Sequence, residues 1–452
     1  MPRPDVSKIT FYLAIFLFFI GGAFSFGLYS GVKKTMAYEV VRDVAETVES
    51  ALKLAYEEAS TVTRTHPKHF LQPSRFDGDG VTVNSVAKGA DDLILLSGFF
   101  HDSNELRLIR RTGELLARWP VKFSEIFPDN SHVRLAPATD WNIDTHGALI
   151  LPDGTVVFNF EYGGLVAIDR CGQVKWKLAL QTHHSIERAE GGGFWVPVRR
   201  YHEKDTPSKF KPFETPFNED TIIKVSDNGK VLQEISVPSL FFSNDLEALI
   251  TATGDSFVGN ERDWPIEIVH LNKVAELSEA LSADFSMFEA GDLVLSLRQQ
   301  NLVMVIDPDT EKVKWWQVGP WIRQHDPEFI PGGKLLVFNN NAYKSTYSGS
   351  GDALDPVSNI IEVDPVSSAT KTLCGKELAR PMFTKVRGKL ELTPSGNLMI
   401  TEFEAGRIFE VNSQGDIVWE FINRYSDDEI AEITEARAYA RTYFEVSDWA
   451  CQ

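Results

Sequence analysis

The sequence predicts an all-β fold, a six-bladed β-propeller, preceded by an N-terminal transmembrane helix and a helical stalk. Three observations lead there: a strand-turn-strand unit that recurs about six times, a second turn ahead of most copies, and one long uncharged run near the start. The unit is an apolar residue, a polar turn and a second β-branched or aromatic run. It appears at Ile109 to Leu115, Ile168 to Val174, Val225 to Val231, Ile306 to Val313, Val363 to Thr372 and Val411 to Ile417. Turns such as Pro152-Asp153-Gly154, Gly191-Gly192-Gly193, Pro331-Gly332-Gly333 and Pro394-Ser395-Gly396 come earlier in their units. Two turns in a repeat of about 60 residues require a meander of strands, the pattern of a propeller blade rather than of a helical solenoid. The ring is expected from about Val81 to Asn423. Trp119, Trp176, Trp315 and Trp419 follow the second turn at similar offsets and are expected between blades, because large aromatic side chains pack one sheet on the next.

Taken in order, residues 1-34 read as a membrane anchor. No residue from Ile9 to Val32 is charged, and residues 9-32 are long enough to cross a bilayer as a helix; a cleaved signal peptide is the alternative. Arg3 and Lys8 on one side balance Lys33 and Lys34 on the other, so the charge rule sets no orientation. Residues 35-62 read as a helical stalk: Val40, Val41, Val44, Val48, Ala51, Leu52 and Ala55 share one apolar face, which either lies on the propeller or joins two copies into a homo-oligomer. The propeller is assigned to 63-425. The remainder, 426-452, is expected as a C-terminal helix and tail, with the Ala- and Glu-rich stretch Asp427 to Tyr443 helical.

A net charge of −19 argues against nucleic acid or an anionic lipid surface as partner. Cys171, Cys374 and Cys451 fit no zinc spacing, and one disulfide, Cys374 with Cys451, suits an oxidising compartment; three buried thiols would read the same. The chain has no phosphate-binding loop and no Gly-x-Ser-x-Gly elbow, which argues against nucleotide-dependent or serine-hydrolase chemistry. No cofactor and no resident metal are expected.

What carries chemistry is a set of histidines with polar companions: Asp144-Thr145-His146, His183-His184, His270-Leu271-Asn272, Arg298 and Gln324-His325-Asp326. Each borders an apolar strand in a different expected blade, and the inner strands of a propeller converge on its central channel. Imidazoles, a guanidinium and an amide together suit an anionic group such as sulfate, phosphate or carboxylate. A metal site is the competing reading, opposed by the fixed cation of Arg298. His66, His69, His101, His132 and His202 are read as structural.

Four phrases in order make the chain resemble the arylsulfate sulfotransferase family of exported six-bladed propellers. They are Asp263-Trp264 with His270-Leu271-Asn272, Gly291 to Arg298, Trp315 through Gly319-Pro320 and Gln324-His325-Asp326 to Gly333, and Gly406 to Phe421. The likeness runs from about Trp141 to Asn423 and leaves out the N-terminal segment and the inserts Tyr201 to Asn218 and Ala342 to Ser358. It implies transfer of a sulfuryl group from a phenolic sulfate ester to a phenol acceptor without a nucleotide donor, through a sulfohistidine. His325 matches the nucleophile; Arg298, His270 and Asn272 match donors around the sulfuryl oxygens. His146 matches a further sulfate-binding or proton-transferring residue. The resemblance also implies a single-pass membrane protein with its propeller on the exported, periplasmic side.

Where the family has Phe-Asp-Asn, this chain has Phe338-Asn339-Asn340, and it keeps an apolar N-terminal segment that exported members commonly lack. A non-catalytic propeller that binds an anionic ligand or scaffolds a membrane complex is therefore the alternative.

Overall fold

The computed structural model describes residues 6–33, 35, 66–86, 91–134, 136–203, 209–210, 213, 215–251, 267–342, 357–375, 378 and 380–451. The stalk expected over 35–62 lies outside them apart from Thr35, as do part of the insert Tyr201 to Asn218, most of the insert Ala342 to Ser358 and the Asp263-Trp264 phrase. Two units are distinguished, Met1–Lys68 and His69–Gln452.

Among the described residues of the first unit, a helix spans Val6–Lys33. Its stretch Thr10–Lys33 has mean hydropathy 2.1 over its most apolar window, and 24 residues in helix reach about 36 Å, enough for a bilayer core of about 30 Å.

The second unit is the propeller. Six antiparallel sheets follow one another around a closed ring. Blade 2 is built from Thr145–Ile150, Val156–Phe160, Gly164–Ile168 and Val174–Leu178. Blade 3 starts with Glu187–Arg188, blade 4 with Leu271–Glu276, blade 5 with His325–Ile330 and blade 6 with Lys389–Leu392. These first strands face one another around the central channel. Middle strands such as Leu93–Phe100 are covered on both faces and accordingly read as unbroken apolar runs instead of alternating ones.

The core is distributed between blades. Six clusters of buried apolar side chains each fill one interface between neighbouring sheets. The expected tryptophans lie there, and three also tie the blades by hydrogen bonds. Trp119 donates to the Arg170 carbonyl, Trp176 to Asp227 and Trp419 to Arg111, at 2.7–2.8 Å, in each case reaching the hairpin turn of the next blade.

The end of the chain differs from the expected C-terminal helix. Residues Ile433–Tyr439 form a strand that pairs with Leu93–Phe100 and supplies the innermost strand of blade 1. Gly80–Asn84 in turn adds a fifth, outer strand to blade 6, so the ring is closed from both ends. The Ala and Glu content favours helix locally, but the stretch has a period of two. Glu435 and Arg437 reach channel-side partners, while Ala436 and Ala438 pack into the interface of blades 6 and 1. Burial in a pre-existing sheet edge outweighs a propensity of tenths of a kcal/mol per residue.

The disulfide also differs. Cys171 is bonded to Cys451, with Cα atoms 5.5 Å apart, and Cys374 is buried outside the disulfide. Because the last strand belongs to blade 1, the tail emerges beside blade 2 and not beside blade 5, where Cys374 lies. There Trp449 packs edge-on against Trp119, and Arg170 donates to the Asp448 carbonyl.

Candidate active site

The entrances to the inner strands bring four histidines together. His184 sits at the centre, with ring centroids 4.3 Å from His146, 4.9 Å from His270 and 6.1 Å from His325. All four rings are buried. Gly147 makes the approach of blade 3 to blade 2 possible, since a Cβ there would stand 2.3 Å from the His184 carbonyl oxygen. The backbone is left-handed at His184, His270, Arg323 and Arg387, each just ahead of an inner strand. Such conformations are costly for residues with side chains and collect at functional sites.

His325 opens the inner strand of blade 5. Its Nδ1 lies 2.7 Å from the Asn340 side-chain oxygen and 3.2 Å from the Arg323 carbonyl. The Asn340 amide nitrogen donates to the carbonyls of Thr384 and Arg387, which fixes its oxygen toward the imidazole. Both neighbours of Nδ1 are acceptors, so the proton is on Nδ1 and the lone pair on Nε2. Burial, with the Arg298 guanidinium next, holds His325 well below the ordinary imidazole value, so the ring is neutral at pH 7.

The strand itself is pinned on both sides of His325. Asn272 donates to the Gln324 carbonyl at 2.8 Å, and the Gln324 amide donates to Ser296 and to the Leu302 carbonyl. Asp326 accepts from the Leu390 amide and pairs with Lys273 at 3.1 Å and Lys389 at 3.3 Å. Lys273 also meets Glu187 at 2.7 Å, which Arg437 reaches at 2.9 Å. This ionic layer lies beside the histidines and lines a cavity of about 230 Å³. Asn272, expected at the sulfuryl oxygens, thus spends one amide hydrogen on holding the strand that carries His325.

His270 Nδ1 lies 2.7 Å from a Glu267 oxygen, and Arg298 faces the other oxygen of the same carboxylate at 3.3 Å. The Nε of Arg298 and Nε2 of His270 are buried without hydrogen-bond partners. Burial lowers His270 to about 4, with Arg298 acting in the same direction against Glu267. His184 is backed by His183, their Nδ1 atoms 2.8 Å apart, and His183 Nε2 faces Asp220 at 3.5 Å. Burial, then the neighbouring His146 and His270, keeps His184 well below its ordinary value.

Beside the cluster, a cavity of about 200 Å³ is lined by Tyr162, Gln181, Arg199, Glu161 and Asn142, among others. Tyr162 stacks over the Arg199 guanidinium at 4.1 Å, and its ring is 4.9 Å from that of His183.

Of the residues singled out from sequence, His146, His270, Asn272, Arg298 and His325 all converge here. The His183-His184 pair stood in the polar set read from the sequence, but the resemblance gave a role to His146 and none to His184. Glu267 was missed, and Asn340 was named from the sequence only as the end of the Phe338-Asn339-Asn340 phrase, with no role. The side-chain oxygen of Asn339, the departing residue, accepts from the amides of Ile322 and Asn341, and it is Asn340 that meets the imidazole. His69, read as structural, hydrogen-bonds Asp144 at 2.5 Å, a carboxylate shared with Arg387.

Fold and site together define a β-propeller whose channel entrance presents neutral imidazoles beside a partly buried guanidinium. The family model described as Arylsulfotransferase (ASST) matches residues 147–424, more than half of the chain, and the chain belongs to that family. His184, His270, Asn272, Arg298 and His325 fall inside the matched span, and His146 falls one residue before it. No curated protein matches the sequence. Solved structures similar to this chain include a protein of unknown function from Bacteroides caccae (14% identity, 77% of this chain and 98% of that one, TM-score 0.47). Others are hydrazine synthase of Kuenenia stuttgartiensis (12%, 75% and 79%, 0.42) and virginiamycin B lyase of Staphylococcus aureus (13%, 62% and 70%, 0.34).

Proposed function

We propose that this chain moves a sulfuryl group from a phenolic sulfate ester to a phenol acceptor through a sulfohistidine on His325, with no nucleotide sulfate. The observation that carries the reading is the fixed tautomer of His325, which leaves Nε2 as an unprotonated nucleophile inside the channel. The Nε2 lone pair attacks sulfur, the bond from sulfur to the aryl oxygen breaks, and the donor leaves as a phenolate. An acceptor phenol then attacks the same sulfur and the nitrogen–sulfur bond breaks, which returns the lone pair to His325. The acceptor's proton passes to a neutral imidazole, His270 or His184, and from there to the phenolate released by the donor. Arg298 faces the equatorial oxygens, where positioning and charge stabilisation lower the barrier, as in phosphoryl transfer. Tyr162 offers an aromatic wall for the phenol ring.

The apolar helix Val6–Lys33 then serves as a single-pass anchor with the propeller on the exported side. The Cys171–Cys451 disulfide supports that placement, since such bonds persist in oxidising compartments.

Incubation of the full chain with an aryl sulfate donor alone, followed by peptide mass analysis, tests the mechanism. One sulfuryl adduct is expected on His325 in the wild type and none in His325→Ala, which should also lose transfer to phenol. An adduct on His146 or His184, or transfer by the variant, rules out this assignment. Absence of reaction with any aryl sulfate leaves an anion-binding propeller.

A further inference from the structure

We infer that His184, His270 and His325 form a site for one divalent transition-metal ion of the zinc class, and that its occupancy blocks sulfuryl transfer. Binding stands on geometry alone; the blocking rests on the function proposed above. One ring nitrogen from each of the three residues lies within 4.8 Å of the others. Nδ1 of His325 is engaged by Asn340, Nδ1 of His270 faces Glu267, and Nδ1 of His184 meets His183. We assign Nε2 of each residue as its ligand atom; Nε2 of His270 is buried without a hydrogen-bond partner.

That is the arrangement of a three-histidine metal centre, in which a carboxylate or carbonyl behind each imidazole fixes the tautomer and raises ligand basicity. Glu267 stands behind His270, the Asn340 amide oxygen behind His325, and Asp220 behind His184 through His183. Bonds of about 2.1 Å in a tetrahedron put nitrogens about 3.4 Å apart, so the rings close on the ion by about 1 Å. Three protein ligands leave the fourth position to water or an anion.

Arg298 disfavours positive charge at His325, and the carboxylates of Glu267 and Asp220 offset it on the His270 side. Arg298 and Arg199 both face Glu267, and Arg199 lies 3.7 Å from Asp220, so two cations meet two carboxylates. A bound ion takes the Nε2 lone pair of His325, and the nucleophile is lost. Harder ions such as Mg²⁺, which prefer oxygen ligands, should have no effect.

The test uses the full chain in detergent, stripped with EDTA and dialysed against ZnCl₂ or CoCl₂. One ion per chain is expected, with Co²⁺ giving the visible bands of a tetrahedral site. His184→Gln and His270→Gln should each weaken binding at least 10-fold, whereas His101→Asn, in an exposed turn, should not. Should a variant fail to fold, wild-type protein modified with diethyl pyrocarbonate gives the answer: zinc should protect His184 and His270. No stoichiometric ion, affinity unchanged in both folded variants, or no protection overturns the site. Transfer should fall at least 10-fold with saturating zinc and return with EDTA; undiminished transfer overturns the blocking. Stoichiometric zinc on a protein that transfers no sulfuryl group retains the metal site and discards the proposed function.

Discussion

The side-chain oxygen of Asn340 lies 2.7 Å from Nδ1 of His325, while its amide nitrogen is tied to the carbonyls of Thr384 and Arg387. One asparagine therefore joins the candidate nucleophile of blade 5 to the entrance of blade 6 and decides which imidazole nitrogen carries the proton.

Replacing Asn340 by Leu removes the acceptor and frees the ring to rotate and change tautomer. Transfer from a chromogenic aryl sulfate should fall on the order of 10- to 100-fold, the range seen when an orienting partner of an imidazole is removed. Steady-state kinetics with saturating acceptor measures it. Unchanged kcat would mean that Asn340 does not set the nucleophile.

Arg298→Lys keeps the charge but not the planar fork. A point charge held by Glu267 cannot address two sulfuryl oxygens together, so kcat/KM should drop by about 100-fold while the melting temperature stays near that of the wild type.

Stability should fall in mild acid. His270 is held to about 4, mainly by burial, against an unfolded value near 6.5. Between those values the unfolded chain binds the extra proton, so stability rises with pH and is lost as pH falls from about 6.5 toward 4. The full loss from His270 is roughly 3 kcal/mol, and His184 and His325 are shifted in the same direction. Urea midpoints at pH 7, 5.5 and 4.5 should decrease in that order. His270→Gln should flatten the slope.

The C-terminal strand and its disulfide should make separate contributions. Deletion of residues 433–452 uncovers the edge of the wholly buried strand Leu93–Phe100, and the product should aggregate instead of folding. Cys451→Ser leaves that strand in place and removes only the cross-link to Cys171, with a cost of about 2–4 kcal/mol readable from denaturant melts.

Much of this protein was legible in the chain, because the relevant signals are local. Turn residues at fixed offsets and apolar runs between them specify blades; the tryptophans after each turn specify interfaces; and an uncharged run of membrane length specifies the N-terminal helix. His270, Asn272, Arg298 and His325 stood out as polar chemistry at the ends of apolar strands. What the sequence could not decide was which segments meet. Glu435 and Arg437 look like a helix surface until Lys389 and Glu187 are placed across the channel from them. Cys451, paired with Cys374 from the sequence, meets Cys171 because the last strand is seated in blade 1 beside the turn that holds Cys171. The proton on His325 is set by Asn340, and the charge on Arg298 is balanced by Glu267, through contacts made only when the ring has closed. Local propensity and periodicity are properties of a few consecutive residues, whereas tautomer, pairing and burial depend on neighbours that only the closed ring brings into reach.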